Sequence, residues 1–383
     1  MNGYYLVLTT IDLFVLSFMG LLTRLSESLN KKQKRGFFLA FALIAGISAM
    51  EMVTLAVDGA PAEYRWLNIT SNFLGFGLSP AVAICLVYVQ DKKSAPRQKL
   101  RFAVGCEIAY LLFLALPIPF GTVFSVSADN VYARGKHFHI YIAVYFAAIF
   151  YLSLATILTA RAFQNRSRAL IYPLIVFLTA ETIVQVAMPD LRVTWLCVTL
   201  LAVLYYIYCT EMWNQLDALT GLLNQSSYLH RTAEMTRRGG MLVVFDVDHF
   251  KHINDRYGHH AGDIVLRRIA KTVSSCVRKT DAVIRYGGDE FVIIFHRLPG
   301  DVFRKKLEEI RAAVARLTVA EHPGLHVSVS LGGAYGVGKT TELFETADRL
   351  MYQAKKSKNK AIAGFVSTQT ENTGKGKDVE IWS

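Results

Sequence analysis

Arg285-Tyr286-Gly287-Gly288-Asp289-Glu290-Phe291 is the stretch that decides how the C-terminal half is read. An apolar run precedes it (Ala282-Val283-Ile284) and another follows (Phe291-Val292-Ile293-Ile294-Phe295). Two short strands split by Gly-Gly predict a tight hairpin, with Gly287 and Gly288 free to take φ > 0. The tip then presents two adjacent carboxylates, Asp289 and Glu290. Alone, such a tip reads as a solvated turn. About forty residues earlier, however, Asp246-Val247-Asp248 closes another apolar strand. Two acidic strand ends that converge make a site for divalent cations and phosphates.

Working outward, the 383-residue chain is too long for one small domain. Hydrophobic residues make up 52% and mean hydropathy is +0.30, which points to membrane spans. Apolar stretches fall at about 4–24, 36–57, 68–90, 102–120, 140–161, 169–188 and 194–210. Basic connectors alternate with poor ones. Arg24, Lys31, Lys32, Lys34 and Arg35 follow the first stretch. Lys92, Lys93, Arg97, Lys99 and Arg101 follow the third, and Arg161, Arg166 and Arg168 the fifth. By the positive-inside rule, seven spans give an outside N-terminus and a cytoplasmic C-terminal half. The net charge of +12 is thus read as a topology signal before a nucleic-acid one, and no nucleic-acid polymer is expected as partner. Five cysteines without paired spacing give no disulfide framework and no zinc site. No cleaved signal peptide is expected.

Glu51, Glu107 and Glu181 fall inside these spans, where a carboxylate faces a bundle interior or cavity. They read either as a ligand site or as neutral hydrogen-bonding groups holding helices together. The connector 121–139, with Asp129, Arg134, His137 and His139, reads as a solvated loop in preference to a ligand or metal site, since two histidines at i, i+2 are a weak signal. The division expected is a seven-helix membrane region at 1–210, a short signalling helix or linker at 211–216, an α/β domain at 217–366 and a disordered polar tail at 367–383. Within 217–366 the pattern predicts helices near 224–237, 261–277, 301–317 and 342–356, and a helix or turn around 250–257. It predicts strands at 241–246, 325–335 and 361–366, besides the hairpin 282–296. The fold class is a mostly antiparallel sheet flanked by helices, behind an all-α polytopic bundle.

If strand 241–246 lies beside the hairpin, Asp246 and Asp289 can share a Mg²⁺ ion, which takes one or two carboxylates plus substrate phosphates. Phe250-Lys251 puts a backbone turn and a cation where phosphates would lie. An amide such as Asn254 with a carboxylate such as Asp263 suits the edge of guanine, whose N1–H and N2–H₂ donate; adenine lacks those donors.

These motifs resemble the GGDEF domain of diguanylate cyclases. The resemblance covers about 214–366: Asp217-Ala218-Leu219-Thr220-Gly221-Leu222 with Asn224; Phe245 to Asp255; Gly258-His259-His260-Ala261-Gly262-Asp263; the hairpin; and Ala347 to Lys355. It implies a palm-like sheet, and condensation of two GTP into cyclic di-GMP with release of pyrophosphate, across a homodimer in the bacterial inner membrane. By motif position it implies Mg²⁺ (or Mn²⁺) held by Asp246, the Val247 carbonyl and Asp289, with Glu290 in the same acidic site. Asn254 and Asp263 would read guanine, Gly287 and Gly288 would line the substrate site, and Phe250, Lys251 and Lys355 would meet phosphates. Arg278-Lys279-Thr280-Asp281, five residues before Gly287, resembles the family's inhibitory product site for cyclic di-GMP. The sequence departs from the family at Gln225, where Arg is common, and at Lys356-Ser357-Lys358-Asn359, a shorter segment without its glycine; Lys358 is then the candidate second phosphate cation. The rival reading is a catalytically silent receptor for GTP or cyclic di-GMP. Gly333 to Thr340 fits G-x-x-x-x-G-K-T, but only 43 residues remain after Thr340, too few for a P-loop domain, so this match is rejected.

Overall fold

The structure is a computed structural model that describes residues 3–90, 97–115, 121–162, 193–235, 240–337, 339–366 and 379–382, with isolated helical positions between 176 and 183. The chain divides into two units, Met1–Trp213 and Asn214–Ser383.

The first unit is helical: α1 (Gly3–Leu25), α2 (Lys31–Val57), α3 (Arg65–Val89), α4 (Arg97–Ala115), α5 (Phe138–Ala162) and α6 (Thr194–Asn214). Among the described residues, five helices are long and apolar enough to cross a membrane, at Gly3–Leu25, Lys31–Val57, Ala62–Val89, Phe138–Thr159 and Thr194–Asn214. The span expected at 102–120 appears as α4, whose Arg97, Lys99, Arg101 and Glu107 keep it out of those five. Most of the span expected at 169–188, with Glu181, lies outside the described residues. Helix α2 begins with a capping box in which Asn30 and Gln33 each satisfy the other's backbone amide.

The connector 121–139 is not a plain solvated loop. It folds into a small antiparallel hairpin, β1 (Phe124–Val126) and β2 (Tyr132–Arg134). Val123, Phe124 and Val126 are buried against Phe76, Tyr132, Phe138 and Tyr141. Asn130 takes a left-handed turn conformation (φ 60°) and is fully buried, donating to the Val57 and Ala60 carbonyls. Three apolar residues spaced among polar ones supply this satellite core, a signal too short to stand out in the sequence. His137 and His139 remain exposed.

In the second unit the order is α7 (Gln225–Met235), β3 (Gly240–Val247), α8 (Phe250–Tyr257), α9 (His259–Cys276), β4 (Ala282–Gly287), β5 (Glu290–Phe295), α10 (Gly300–Ala315), β6 (Val329–Gly336), α11 (Thr340–Ser357), β7 (Ala361–Val366) and β8 (Val379–Trp382). The strands form one six-stranded sheet, β4-β5-β3-β6-β7-β8, antiparallel except for the parallel β6–β7 pair. Strand β3 is central and its side chains alternate between two cores. Val243, Phe245 and Val247 join residues of α9 and α10, while Leu242 and Val244 join residues of α11.

Within the tail expected to be disordered, residues 379–382 form strand β8, and the rest of 367–383 lies outside the described residues. Val379, Glu380, Ile381 and Trp382 pair antiparallel with β7. The apolar residues of this four-residue run follow a long polar stretch, and composition alone hides them. The Gly333–Thr340 match is also explained. Gly333 to Gly336 lie within β6, and a Cβ at Gly333 would strike Phe303 and Leu307 of α10. Thr340 does not cap α11 with its side chain; its hydroxyl donates to the Thr232 carbonyl at 3.0 Å, and Lys339 is the N-cap residue.

Candidate active site

The site is built where β3 ends. In the β3–β5 ladder Asp246 stands opposite Glu290, and Phe245 opposite Phe291. Those two rings stack with centroids 5.0 Å apart and planes 5° off parallel, which locks the register one residue behind the carboxylates. The turn between β4 and β5 is tied down from two sides. The Val247 N–H donates to the Asp289 carbonyl at 3.3 Å. Arg285 donates to the Gly288 carbonyl through Nε (3.0 Å) and Nη2 (2.7 Å). Its Nη1 meets both carboxylate oxygens of Asp217, at 3.1 and 3.2 Å. Burial pushes Asp217 up, but the Thr220 hydrogen bonds and the Arg285 guanidinium outweigh it and hold its carboxyl below the usual range. Arg285 therefore fixes the acidic turn to the loop that opens the domain. Neither Gly287 nor Gly288 lies in the left-handed region expected of them; the strand pair closes with a register irregularity between Arg285 and Gly287 instead. A Cβ on Gly288 would meet nothing within 4 Å, so the turn faces open space.

The two aspartates of Asp246-Val247-Asp248 have different surroundings. Asp248 is 4% exposed and satisfied by the protein. It accepts from Ser328 Oγ (2.6 Å), Ser330 Oγ (2.7 Å) and the Asn359 N–H (2.9 Å). Asp246 is equally buried, but only its Oδ2 is engaged, by Lys355 Nζ at 2.8 Å, and its Oδ1 has no partner. Burial pushes the Asp246 carboxyl up to about 6; Lys355 opposes the rise, and the nearby charges of Asp289 and Glu290 add to it. Lys355 is itself raised: desolvation pulls it down, and its bond to Asp246 with the fields of Asp246, Asp289 and Asp248 more than offsets this. An orphaned, buried carboxylate oxygen beside two more acidic side chains is a donor set that fits a hard divalent cation.

Directly after Asp248, His249 takes a left-handed conformation (φ 57°) and reverses the chain into α8. Phe250 is half-buried and Lys251 exposed on the first turn of that helix. Asn254 on α8 meets the first turn of α9, where a Cβ on Gly262 would collide with Asn254 Oδ1 and crowd Phe250. Asp263, the next residue, is half-exposed and only loosely paired with Arg267 at 3.7 Å. The structure therefore brings Asn254 and Phe250 against Gly262, with Asp263 the next residue of α9. Lys358 is exposed at the C-cap of α11 with φ 57°, in a conformation that favours glycine.

Arg278 and Asp281 flank a turn before β4. Arg278 is exposed. Asp281 is 2% exposed, and its two oxygens accept the backbone N–H groups of Arg278 and His296, each at 2.9 Å. Its carboxylate is thus turned inward as a brace rather than outward to a guanine edge. Sequence reasoning passed over Arg285 as the clamp of the acidic turn and Asp248 as a lock. It also missed Asp12, a buried carboxylate visible in the sequence as the one acidic residue of an apolar helix.

Residues 214–361 match the family model for the diguanylate cyclase GGDEF domain. Curated relatives include diguanylate cyclase DgcM of Escherichia coli, 39% identical over 158 residues, covering 38% of this chain and 38% of that protein. Diguanylate cyclase DgcS of Shewanella oneidensis is 39% identical over 149 residues, covering 37% of this chain and 49% of its own length. The chain thus spans half or less of the length of these relatives. Among solved structures, the coiled coil and GGDEF domain of DgcB from Caulobacter crescentus, in complex with c-di-GMP, is 27% identical, with TM-score 0.43, over 45% of this chain and 98% of that one.

Proposed function

The second unit of this chain is a GGDEF domain with diguanylate cyclase relatives, and from that premise we propose that the protein is a membrane-anchored diguanylate cyclase. It condenses two GTP into cyclic di-GMP. Each 3′-hydroxyl attacks the α-phosphorus of the other nucleotide, the bond to pyrophosphate breaks, and two pyrophosphates leave. The observation that carries this reading is the half-satisfied Asp246, whose unpartnered Oδ1 lies at the end of the strand that pairs with the Asp289–Glu290 turn.

Asp246, the Val247 carbonyl and Asp289 would hold Mg²⁺ or Mn²⁺, with Glu290 completing the acidic cluster. When bound, the ion neutralises phosphate charge and favours the ionised form of an attacking hydroxyl. The chain's own residues supply the rest. Asn254 and Asp263 meet the hydrogen-bonding edge of guanine, and the carboxylate disfavours adenine, which offers it no N1–H. Phe250 supports the turn beneath the nucleotide. Lys251 and Lys355 place cations by the phosphates, and Lys358 is the remaining candidate for that role. Gly287 and Gly288 leave space for substrate at the hairpin tip. One site per domain holds one GTP, so the reaction requires a homodimer that sets two sites face to face.

The apolar helices anchor the protein in the bacterial inner membrane, with the N-terminus outside and the GGDEF domain in the cytoplasm. We assign feedback binding of cyclic di-GMP to Arg278, which can grip a phosphate or stack on a base, with Asp281 shaping its turn. The test is to incubate the full-length protein in detergent or nanodiscs with GTP and Mg²⁺ and to assay for cyclic di-GMP. Product is expected. A folded wild type that yields none at any Mg²⁺ or GTP concentration overturns the enzyme in favour of a nucleotide-binding receptor.

A further inference from the structure

The chain leaves α11 through two residues with positive φ. Lys358 has φ 57° and ψ 158°, and Asn359 has φ 46°. Asparagine tolerates a positive φ, because its short polar side chain can bond locally. Lysine does not, and the pair of angles at Lys358 belongs to a region that glycine alone occupies with ease. A plain helix end would be built there with glycine. A lysine persists in such a conformation only where its surroundings over-determine it.

Here they do. The Lys358 N–H donates to the Ala354 carbonyl, and the Leu331 N–H donates to the Lys360 carbonyl, each at 2.9 Å. Asn359, between them, is gripped from two sides. Its N–H donates to Asp248 Oδ2 at 2.9 Å. Arg311 Nη1 donates to Asn359 Oδ1 at 2.8 Å and to the Asn359 carbonyl at 3.3 Å. Arg311 reaches over from α10, 48 residues earlier and packed on the opposite face of the sheet from α11. Its own Nε is held by the two carboxylate oxygens of Glu308, at 3.0 and 2.9 Å. The backbone of the segment is thus pinned throughout. The Lys358 side chain is exposed and forms no ion pair among the described residues.

This strained residue lies beside the acidic strand end. Asp248, which holds Asn359, is two residues from Asp246, and Lys355, one helical turn before Lys358, donates to Asp246 at 2.8 Å. Lys355 is thereby committed to a buried carboxylate. A nucleoside triphosphate brings more negative charge than one divalent ion offsets, so its outer phosphates call for a cation that is not already paired. Lys358 is such a cation.

We propose that Arg311, acting through Asn359, is a positioning residue that holds Lys358 in its strained conformation and so presents the ammonium group to the β- and γ-phosphates of GTP. The inference rests on the GTP site proposed above and adds to it a residue from the other face of the sheet.

The experiment measures binding of 3′-deoxy-GTP and of GMP to the full chain in nanodiscs with Mg²⁺. The first ligand lacks the attacking hydroxyl, so no turnover interferes, and the second lacks the outer phosphates. Lys358→Gly should raise the urea midpoint of the C-terminal unit, because glycine takes these angles without strain. The same variant should bind 3′-deoxy-GTP at least about tenfold more weakly, the scale of one charge-assisted contact, with GMP affinity unchanged. Lys358→Arg, which keeps a cation, should retain most of the affinity. Arg311→Gln should weaken 3′-deoxy-GTP binding several-fold alone and have no further effect when combined with Lys358→Gly. Triphosphate binding that Lys358→Gly leaves intact, or a loss equal for GMP, overturns the assignment of Lys358. A lowered urea midpoint in that variant removes the strain on which it stands. An Arg311→Gln loss of equal size in both backgrounds overturns the positioning role. A wild type that binds 3′-deoxy-GTP but forms no cyclic di-GMP from GTP overturns the cyclase reading alone, whereas one that binds neither nucleotide overturns both.

Discussion

The acidic end of β3 and the turn at Arg278–Asp281 both hold carboxylates that are almost completely buried, and the two regions use them in opposite ways. Asp246 is 4% exposed and Asp281 2%, so burial does not separate them. The count of donors does. Asp281 has one backbone N–H on each oxygen, whereas Asp246 has a single lysine on one oxygen and nothing on the other. Asp248, two residues on and just past the end of β3, falls with Asp281: three donors, no orphan. A buried carboxylate that the protein satisfies is part of the fold, and one that it leaves half-satisfied is reserved for something that binds.

The sharpest way to break this comparison is at the open end. Asp289→Ala removes an acidic side chain that faces Asp246 but braces nothing. Cyclic di-GMP formation is expected to fall by at least about a hundredfold, the scale for losing a charged group at a transition state. The thermal midpoint of the domain should change little. A variant that keeps more than a tenth of wild-type turnover would place the chemistry elsewhere.

The closed partner two residues on, just past the end of β3, should respond in the reverse sense. Asp248→Ala strips acceptors from Ser328, Ser330 and the Asn359 N–H in a buried setting. A loss of about 3 kcal/mol is expected, because hydrogen bonds to a charged group are strong and the orphaned donors are desolvated. The urea midpoint of the C-terminal unit is the measurement. A drop in activity without a drop in stability would move Asp248 into the site.

Next in size is a pH effect specific to Asp246. Its folded pKa of about 6 lies above the ordinary 3.8, so the fold binds the proton more tightly than the unfolded chain. The stabilising contribution is therefore full below about pH 4 and is lost as pH rises through 6. In EDTA, the wild type should lose on the order of 2 kcal/mol between pH 4 and pH 7 relative to Asp246→Asn, which cannot titrate. The inactive variant should thus be the more stable one at neutral pH. Parallel pH profiles for the two proteins would show that Lys355 already satisfies Asp246 and that the strand end is not open.

How far the sequence discloses these differences depends on the range of the signal. The β3 and β5 runs, the hairpin and the last helix are strongly periodic, and their expected bounds differ from the observed ones by a few residues at most. Asn254 and Gly262 each lie four residues from the glycine turn at Gly258, so the short-range turn alone sets them against one another. Donor counts are different, because Ser328, Ser330 and Asn359 reach Asp248 from 80 to 111 residues away. No local pattern distinguishes Asp246 from Asp248 on that basis. The same is true of the Asp217–Arg285 pair, 68 residues apart. The hairpin at 124–134 and strand β8 were obscured for another reason: each hides a few apolar residues in polar surroundings.

The smallest effect belongs to Arg278, and it tests whether the closed turn has any ligand role. The Arg278 backbone N–H, not its side chain, braces Asp281, so Arg278→Ala leaves that hydrogen bond in place. Stability should stay within about 0.5 kcal/mol of wild type, as for an exposed side chain away from caps and cores. Initial rates at low product should also be unchanged. If the exposed guanidinium grips cyclic di-GMP, the product concentration that halves the rate should rise several-fold, the scale of losing a charge-assisted contact of about 1–2 kcal/mol. Asp281→Asn supplies the contrast: it weakens the brace on the Arg278 and His296 amides and should lower stability while affecting product binding only through the turn it shapes. If Asp281→Asn relieves inhibition at unchanged stability and Arg278→Ala does not, the carboxylate opens to the ligand in solution. The turn would then belong with Asp246 rather than with Asp248.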